Sequence, residues 1–456
     1  WKNFKIRDNM LWHDGTPATA EDAKFWVDLA AFGAGSGDKV RAPAHYHGIL
    51  GDPKKVEVLS GNRLRITLPK GAPLYPEAIS NPRYSFQHPK HLMEPRIKAG
   101  EVGVAPIDVG LVGLGPFTFK SYDKGSRIQV RRFDRYWEKD DAGRQLPFLD
   151  GIDFAIIKDK AAMDAAFRTR KVDGGSHTGG GYLDRERRQL IVKTLGDDVW
   201  FAELYNNAGG FAFNTLKEGP WQDVRVRKAM SLWIDRDAGI ALGSEVSDFY
   251  SPIFPPGSPF INPGYEKWPG WNPATKAVDR VEAKRLMVEA GYGSGFQMNI
   301  VCAQKGGPEN CLYYQEQLRG LGIDMQIAML DNASWAAAFT SLDYDVIGRG
   351  GSSGSTSPEG TEKDLTRYSI SSTSTSKHED QKVAAFYDQL RGTTDIQQRI
   401  SVWRDLSEYY LKDQVYSVIC CGTIQVIPYR TYVKGYQVPT FDAHNSVDYA
   451  MTWLDK

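Results

Sequence analysis

The chain alternates strand-like and helix-like segments along its whole length, without sustained heptads and without a repeat of fixed period. Residues 63–68 alternate apolar and polar side chains and predict a strand. Residues 117–122 and 127–131 flank a glycine-containing turn and predict a β-hairpin. Thr19 is followed three positions later by an acid, which predicts a helix beginning near Ala20. Further periodicity predicts a strand at 149–157 and helices at 160–169, 224–235, 277–290, 311–321, 335–341, 379–390 and 397–411.

Size and charge narrow the classes of protein that fit. A chain of 456 residues is expected to form two to four domains. Its 56 basic and 56 acidic side chains balance, so nothing electrostatic favours nucleic acid or an anionic membrane as the main partner. No apolar run approaches the roughly 18–20 residues that span a bilayer. The chain opens on a strand-like segment without an initiator methionine, so we expect any targeting segment to have been removed.

Enzyme signatures are absent from the sequence. There is no nucleophile elbow, phosphate-binding loop, zinc-protease helix or dinucleotide fingerprint. His13 and Asp14 lie in a turn, where their polar groups are expected to bond the backbone. His88 and His91 have a proline between them and no acid nearby in sequence, so no metal role is expected. We therefore predict no catalytic residues, no metal and no cofactor.

Two glycine- and serine-rich segments, 174–181 and 348–360, are the best binding candidates. Each follows the end of a predicted element and offers backbone amides and hydroxyl groups. The second also carries a cation, Arg349. Such a surface suits a carboxylate, a sugar or a phosphate. The alternative is that both segments are mobile surface loops.

Collinear motifs then point to a family. The chain carries F-K-I-R and L-W-H-D-G-T-P-A-T-A-E-D near its start, then V-G-L-G-P-F, R-F-D-R-Y-W and P-F-L-D-G-I, and later F-A-F-N-T, W-Q-D-V-R-V-R-K-A and E-A-G-Y. This order resembles the family-5 extracellular solute-binding proteins, which are the dipeptide-, oligopeptide- and nickel-binding subunits of ABC importers. The resemblance runs from the first residues to about Gly435.

The resemblance implies an α/β, two-lobed Venus-flytrap fold of the periplasmic-binding-protein type, with the extra domain II of the peptide-binding proteins. Residues 1–110 would form domain II, with the N-terminal part of domain I absent before residue 1. Residues 111–214 and 440–456 would form domain I, and 215–439 domain III. The crossings between lobes are expected near 213–221 and 433–439, and we expect the lobes to close on ligand there.

The function implied is that of a substrate-binding subunit. It would capture a small polar ligand or a short peptide and deliver it to a transmembrane ABC permease. We expect a periplasmic protein, or an extracellular lipid-anchored one, that is a monomer and binds no nucleic acid. Two alternatives are a secreted carbohydrate-active enzyme and a chaperone or signalling protein with the same fold.

One departure from the family bears on the ligand. Peptide-binding members carry an acid in a W-x-x-D-Y-x-x-P pattern that holds the peptide amine, but this chain has Gly354 at that position. A buried ammonium without a countercharge is costly. Either Glu359 substitutes for the acid, or the ligand is an opine, an oligosaccharide, a sugar phosphate or another metabolite without an ammonium group. Arg349 would pair an anionic part of the ligand, unless it pairs Asp345 instead. A nickel chelate is disfavoured because histidines do not cluster.

The site implied by the resemblance takes residues from three segments. The predicted ligand-binding residues are Arg349, Ser352, Ser353, Ser355, Thr356, Glu359, His177, Thr178, Tyr182, Tyr205, Asn206 and Phe211. Export to an oxidising compartment, also implied by the resemblance, predicts a disulfide between Cys302 and Cys311. Cys420 and Cys421 are adjacent in an apolar run and are expected to stay reduced.

Overall fold

The computed structural model describes eleven segments of the chain, namely residues 2–32, 55–68, 88–101, 103–175, 183–242, 246–249, 254, 256–304, 308–348, 376–438 and 448–456. The chain divides into two compact units. The first comprises residues 1–202, 427–439 and 444–456, and the second comprises 203–426 and 440–443.

The first unit begins with a three-stranded antiparallel sheet in the order β1-β3-β2, formed by β1 (Lys2–Lys5), β2 (Lys55–Leu59) and β3 (Arg63–Thr67). Helix α1 (Ala20–Phe32) packs on this sheet through Trp26. The Thr19 N–H donates to the Asp22 carboxylate at 2.8 Å, so the helix begins where the capping pattern predicts.

A second antiparallel sheet follows in the same unit, in the order β4-β5-β6. The predicted hairpin is confirmed, with Tyr122 opposite Ile128. The remaining elements of this unit are α2 (Lys90–Lys98), β4 (Phe117–Asp123), β5 (Arg127–Arg132), β6 (Gly151–Ala155), α3 (Lys160–Arg168), α4 (Arg185–Leu195), β13 (Val433–Lys434) and β14 (Trp453–Leu454). Between α3 and α4, the Arg187 guanidinium pairs with the Asp164 carboxylate at 2.7 Å, with both side chains nearly buried.

The second unit is built on a six-stranded sheet in the order β10-β9-β11-β7-β12-β8. Its strands are β7 (Val199–Phe213), β8 (Val246–Phe249), β9 (Phe296–Ala303), β10 (Ile323–Leu330), β11 (Val346–Ile347) and β12 (Ser417–Arg430). β9 runs parallel to both β10 and β11, whereas β11 runs antiparallel to β7. Its helices are α5 (Val224–Trp233), α6 (Arg236–Leu242), α7 (Lys276–Glu289), α8 (Pro308–Arg319), α9 (Asn332–Ser341), α10 (Gln381–Gly392) and α11 (Ile396–Glu408). The predicted helices are confirmed to within a few residues at their ends.

The second half of strand β9 is buried on both faces at residues 300–302, whereas Gln297 and Asn299 in its first half are exposed. Met298, Ile300 and Cys302 lie in the main core and are at most 1% exposed. Val301 packs on the other face, in a smaller cluster that contains Ala212 and other buried side chains. The second half of β9 therefore packs between these two clusters.

The crossings between the units differ from the prediction. The chain passes from the first unit to the second between Ala202 and Glu203, and returns between Val426 and Ile427. Both points lie inside strands, since β7 and β12 continue without a break through them. The predicted crossings at 213–221 and 433–439 therefore lie about ten residues from the observed ones. The predicted boundary between domains near residue 110 stays a prediction.

Candidate functional site

One edge of the six-stranded sheet collects the ends of its parallel strands. β9 ends at Ala303, β10 at Leu330 and β11 at Ile347. Because these strands are parallel, their carboxyl ends meet at the same edge. Ligands of open α/β sheets bind outside the carboxyl ends of the strands. β7 runs antiparallel to β11, so this is also the edge at which β7 enters the unit.

Gly348 is the first residue beyond this edge on β11. Its N–H donates to the Val301 carbonyl at 2.8 Å. A Cβ at this position would stand 2.7 Å from the Cys311 Sγ and 3.1 Å from the Cys302 Sγ. Only glycine fits so close an approach without displacing its neighbours. Gly348, the first residue of the predicted segment 348–360, therefore lies against the two cysteine sulfurs.

The structure contains the predicted disulfide between Cys302 and Cys311. It joins strand β9 to helix α8, and the two residues are only 1% and 3% exposed. Cys420 is buried and is not disulfide-bonded, as predicted. The side chain of Cys421 lies outside the described part of the chain.

The chain returns to the sheet at Ser376 and Lys377. The Lys377 N–H donates to the Phe213 carbonyl at 3.0 Å, and the Thr215 N–H donates to the Lys377 carbonyl at 2.8 Å. The residues between Gly348 and Ser376 lie outside the described part of the chain. The described chain therefore stops at Gly348, beyond the carboxyl end of β11, and resumes at Ser376, beside the end of β7.

The Phe211 side chain, which is predicted to contact ligand, lies in the core of the second unit. This ring has no exposed surface and packs edge to face on Phe213 and Tyr314, with centroids 5.5 and 5.0 Å apart. The reason is local, because aromatic rings at positions 211 and 213 of a strand point to the same face, here the core. The alternating aromatic residues at 211 and 213 of the sequence already indicated that both rings face the core. The register of β11 on β7 pairs Val346 with Phe213 and Ile347 with Ala212, so one residue beyond Ile347, Gly348 lies beside Phe211.

Strands β7 and β12 approach each other closely at Gly210. A Cβ on this residue would lie 2.1 Å from the Val418 carbonyl oxygen. A strand interior with glycine often marks such a backbone approach. This contact explains how the sequence Asn206 to Gly210, poor in strand-forming residues, is held in a strand.

The other predicted segment belongs to the first unit. The Gly175 N–H donates to the Pro428 carbonyl at 2.8 Å, and the Arg430 N–H donates to the Asp173 carbonyl at 3.0 Å. Gly174 lies flat on the Tyr429 ring, since a Cβ there would meet a ring carbon at 2.3 Å. The chain therefore departs toward residue 176 from a fixed position beside the first residues of β12 in this unit.

Nine of the predicted ligand-binding residues lie outside the described residues, namely Arg349, Ser352, Ser353, Ser355, Thr356, Glu359, His177, Thr178 and Tyr182. Tyr205 and Asn206 lie on β7, with their side chains outside the description. What the structure establishes is where two of the three predicted segments begin. The 205–211 segment runs beside Gly348 in the second unit, and the 176–182 segment is anchored in the first.

Asp345, the carboxylate predicted as the alternative partner of Arg349, already binds two other groups. One Asp345 oxygen binds the Lys217 ammonium at 2.9 Å, and the other accepts the Asn299 N–H at 2.7 Å. The carboxylate is 5% exposed. Asp345 and Gly348 also flank opposite ends of β11, about 10 Å apart at 3.3 Å per residue.

Two described histidines of the first unit, His13 and His91, contact other parts of that unit. The His13 Nδ1 accepts the Gly113 N–H at 3.1 Å, and its Nε2 lies 3.0 Å from the Gly115 carbonyl. The expectation that this turn bonds the backbone is confirmed. His91 differs from the prediction in one respect, because it has an acid close by. The Asp14 carboxylate lies 2.6 Å from its Nε2, brought there from 77 residues away.

Sequence reasoning missed a buried imidazole in the second unit. His378 is 2% exposed and stacks on the Tyr416 ring at 4.2 Å. Its Nδ1 accepts the Asp380 N–H at 3.3 Å. Burial lowers the pKa of His378 to about 4, with Arg227 adding to the effect and Asp380 opposing it. A single histidine in a polar stretch gave no signal of this burial.

The described residues contain neither a metal-binding cluster nor a membrane-spanning helix. They bring together no group of three or more His, Cys, Asp or Glu side chains that would hold a metal ion. Over the same described residues, no helix combines the length and the apolar character that crossing a bilayer requires.

Comparisons with known proteins give one family. The model of the bacterial extracellular solute-binding proteins, family 5, matches residues 2–365. A probable ABC transporter-binding protein of Deinococcus radiodurans is 28% identical over 312 residues, which is 63% of this chain and 49% of the relative. The periplasmic oligopeptide-binding protein OppA of Escherichia coli is 25% identical over 65% of this chain and 53% of its own length. The chain thus spans about half the length of the curated relatives it matches.

Solved structures show the same fold. AgaA from A. tumefaciens R10, in complex with agropinic acid, superposes with a TM-score of 0.75 at 21% identity, covering 100% of this chain and 87% of that one. DppA from Helicobacter pylori, in complex with the peptide STSA, superposes with a TM-score of 0.76 at 17% identity, covering 100% and 86%. The fold is therefore the two-lobed α/β fold expected from the sequence. With the family model matching most of its length, this chain belongs to the bacterial extracellular solute-binding proteins of family 5.

Proposed function

We propose that the chain is the substrate-binding component of an ABC importer, which captures a small polar ligand and delivers it to a membrane permease. The observation that carries this proposal is the position of Gly348, the first residue of segment 348–360, at the carboxyl end of β11, on the edge where α/β sheets bind ligands. Family membership supports it. The buried disulfide fits an exported protein, because such bonds persist in oxidising compartments.

The charged residues in and beside segment 348–360 indicate the class of ligand. With Gly354 where peptide binders carry an acid, and with Asp345 already bound by Lys217 and Asn299, we propose Arg349 as the anchor for an anionic group. A guanidinium binds a carboxylate or phosphate with two parallel hydrogen bonds. Relatives are named for oligopeptide and glutathione binding, and one solved neighbour holds agropinic acid. Each of these compounds carries a carboxylate, so a short peptide or an opine-like metabolite is the proposed ligand.

The first experiment identifies what binds. Native mass spectrometry of the protein as purified would reveal a retained ligand. Titration calorimetry would then test trialanine, glutathione, agropinic acid and a sugar phosphate. We expect at least one anionic compound to bind and to be recovered unchanged. Chemical turnover of a bound compound would favour the enzyme alternative. Binding of neutral sugars alone would contradict the proposal that the ligand is anionic.

A variant then tests the anchor. Arg349→Ala should weaken binding of the anionic compound about ten- to a hundredfold, since a charge-assisted hydrogen bond contributes roughly 1.5–3 kcal/mol. The matched control is Arg319→Ala, because Arg319 is an exposed arginine of the same unit paired only with Glu316 in the described structure. Lower thermal stability with unchanged affinity would make Arg349 a structural residue instead.

A further inference from the structure

The β1-β3-β2 sheet of the first unit has one buried face and one solvent face. The buried face packs with Trp26 of α1 through Val56, Leu64 and Ile66. Because side chains alternate along a strand, the intervening positions form the other face. The strand register places on it Asn3, Lys5, Lys55, Glu57, Leu59, Arg63, Arg65 and Thr67. These eight positions, the basic face, carry four cations and one acid.

The excess of positive charge on this sheet is local. The chain as a whole balances 56 basic against 56 acidic side chains. Residues 2–9 and 55–67, which contain the three strands, carry six basic side chains and two acidic ones. The acids lie beside cations of the same surface, with Lys5 and Asp8 at 2.8 Å and Lys55 and Glu57 at 2.7 Å. Both ammonium groups are solvent-exposed, so these ion pairs are weak and the surface keeps its net positive charge.

Arg63 and Arg65 set the spacing of the cations. They lie two residues apart on β3, which places them about 6.6 Å apart along the strand, and Lys5 of β1 lies directly opposite Arg63. The Arg63 Nε donates to the Ser60 carbonyl at 3.0 Å, and within the described residues Arg63 forms no ion pair. An extended peptide presents every second side chain on one side at the same repeat. Carboxylates at alternate positions of an extended segment therefore match the cations of β3.

A cleft continues the basic face beyond the end of β1. Its volume is about 500 Å³, and it is lined by Lys5, Arg7, Asp8 and Asn9. The Arg7 guanidinium lies 4.2 Å from the centroid of the Trp137 ring, a cation–π contact that holds this cation at the cleft. The cleft thus offers an acidic side chain a concave site next to the flat surface of the sheet.

We infer that the basic face and this cleft form a docking surface for an extended acidic segment of a partner protein. Other anionic partners fit less well. Single strands of nucleic acid are held by aromatic stacking, and none of the eight positions of the basic face is aromatic. Membrane-surface binding needs an apolar face, and the basic face has one apolar side chain, Leu59. The inference goes beyond the proposed function, since it uses no residue of the predicted ligand site.

Two double variants test this surface. Lys5→Glu combined with Arg63→Glu reverses two exposed cations of the basic face. Lys124→Glu combined with Lys193→Glu reverses two exposed cations elsewhere in the same unit and gives the same net charge. The probe is a fluorescent peptide of alternating Glu and Thr, with a peptide of alternating Gln and Thr as its neutral control. Fluorescence anisotropy at low and at physiological ionic strength measures binding, and vesicles containing phosphatidylglycerol provide the membrane comparison.

We expect the unmodified protein to bind the acidic peptide but not the neutral one, and more tightly at low ionic strength. Affinity should fall about tenfold or more in the basic-face variant and much less in the matched control, because only the former places like charges opposite the peptide. Absence of binding, or equal losses in the two variants, would overturn the inference. Tighter binding to the vesicles than to the peptide, lost in the basic-face variant, would overturn it in favour of a membrane. If circular dichroism shows that this variant does not fold, Lys5→Gln combined with Arg63→Gln decides instead, with a smaller loss of affinity in the same direction.

Discussion

The imidazole of His13 and the backbone of Gly113 form a hydrogen bond across 100 positions of the chain, with Nδ1 accepting the N–H at 3.1 Å. Since Nδ1 accepts, the proton of the neutral ring lies on Nε2, which donates to the Gly115 carbonyl at 3.0 Å. Two segments that carry the family resemblance are therefore locked together by one side chain. A protonated ring would lose the bond to Gly113.

This relationship predicts a pH dependence for the first unit. Desolvation lowers the pKa of His13 below 6.5, against the opposing effects of Gly115 and Asp14. The unfolded chain therefore takes up the proton first as the pH falls, so the stabilisation is complete above about pH 6.5 and declines below it. Urea unfolding at pH 7.5 and pH 5.5 should show a steeper loss in the unmodified protein than in His13→Ala.

At pH 7.5 the free energy of unfolding of His13→Ala should be lower by about 1–3 kcal/mol, because the backbone groups of Gly113 and Gly115 lose their hydrogen-bond partner. His13→Gln, which retains a donor and an acceptor without titrating, is the matched control and should lose less. Equal pH slopes in the unmodified protein and in His13→Ala would contradict the assignment of the neutral ring.

His378 predicts a second pH dependence, in the second unit. Its pKa of about 4 lies below the ordinary value of 6.5, so protonation favours the unfolded chain between these values. The stabilisation is complete above pH 6.5 and falls by about 3 kcal/mol as the pH reaches 4. His378→Phe keeps a ring on Tyr416 but does not titrate, so its loss of stability over this range should be smaller by that amount. A difference below about 1 kcal/mol would show that the ring is not held neutral.

The disulfide predicts a defined thiol count and a loss of stability on reduction. Alkylation of unreduced, denatured protein should label two cysteines, Cys420 and Cys421, and reduction beforehand should raise the count to four. Reduction should cost about 2–3 kcal/mol, because the bridge closes a loop of nine residues in the unfolded chain. Urea midpoints with and without reductant measure this loss. Four labelled cysteines without reduction would refute the pairing.

Local periodicity predicted the elements because local interactions form them. The alternation at 63–68 gave β3, and the turn between 122 and 127 gave the β4–β5 hairpin. The periodicity at 277–290 likewise gave α7. In each case the side chains that decide the structure lie within a few residues of one another.

Long-range relationships escaped this reasoning. No local pattern places Gly348 on two cysteine sulfurs or brings Asp14 to His91. The crossings at 213–221 and 433–439 were inferred from the resemblance, whereas the boundaries between the units fall inside β7 and β12. Phe211 was assigned to the ligand although its alternation with Phe213 indicated the core. The ligand residues themselves came from resemblance, since glycine and serine carry little positional information.

The close approach at Gly210 gives the sharpest test of the β7–β12 pairing. In Gly210→Ala the new methyl group would stand 2.1 Å from the Val418 carbonyl oxygen and 3.0 Å from the Ile419 Cα. Backbone atoms cannot swing aside as a flexible side chain does, so the two strands must separate. We expect a loss of about 2 kcal/mol or more, since overpacking typically costs 1–3 kcal/mol even where side chains can adjust.

Gly392→Ala is the matched control for this substitution in the same unit. Gly392 ends helix α10, has no neighbour within 4 Å of its Cβ position and does not adopt a positive φ. Alanine there should be neutral or stabilising by up to about 1 kcal/mol, because it restricts the unfolded chain. Urea unfolding of both variants measures the difference. If Gly210→Ala is as stable as Gly392→Ala, the strands are not in contact at this position, and another interaction must hold residues 206 to 210 in the strand.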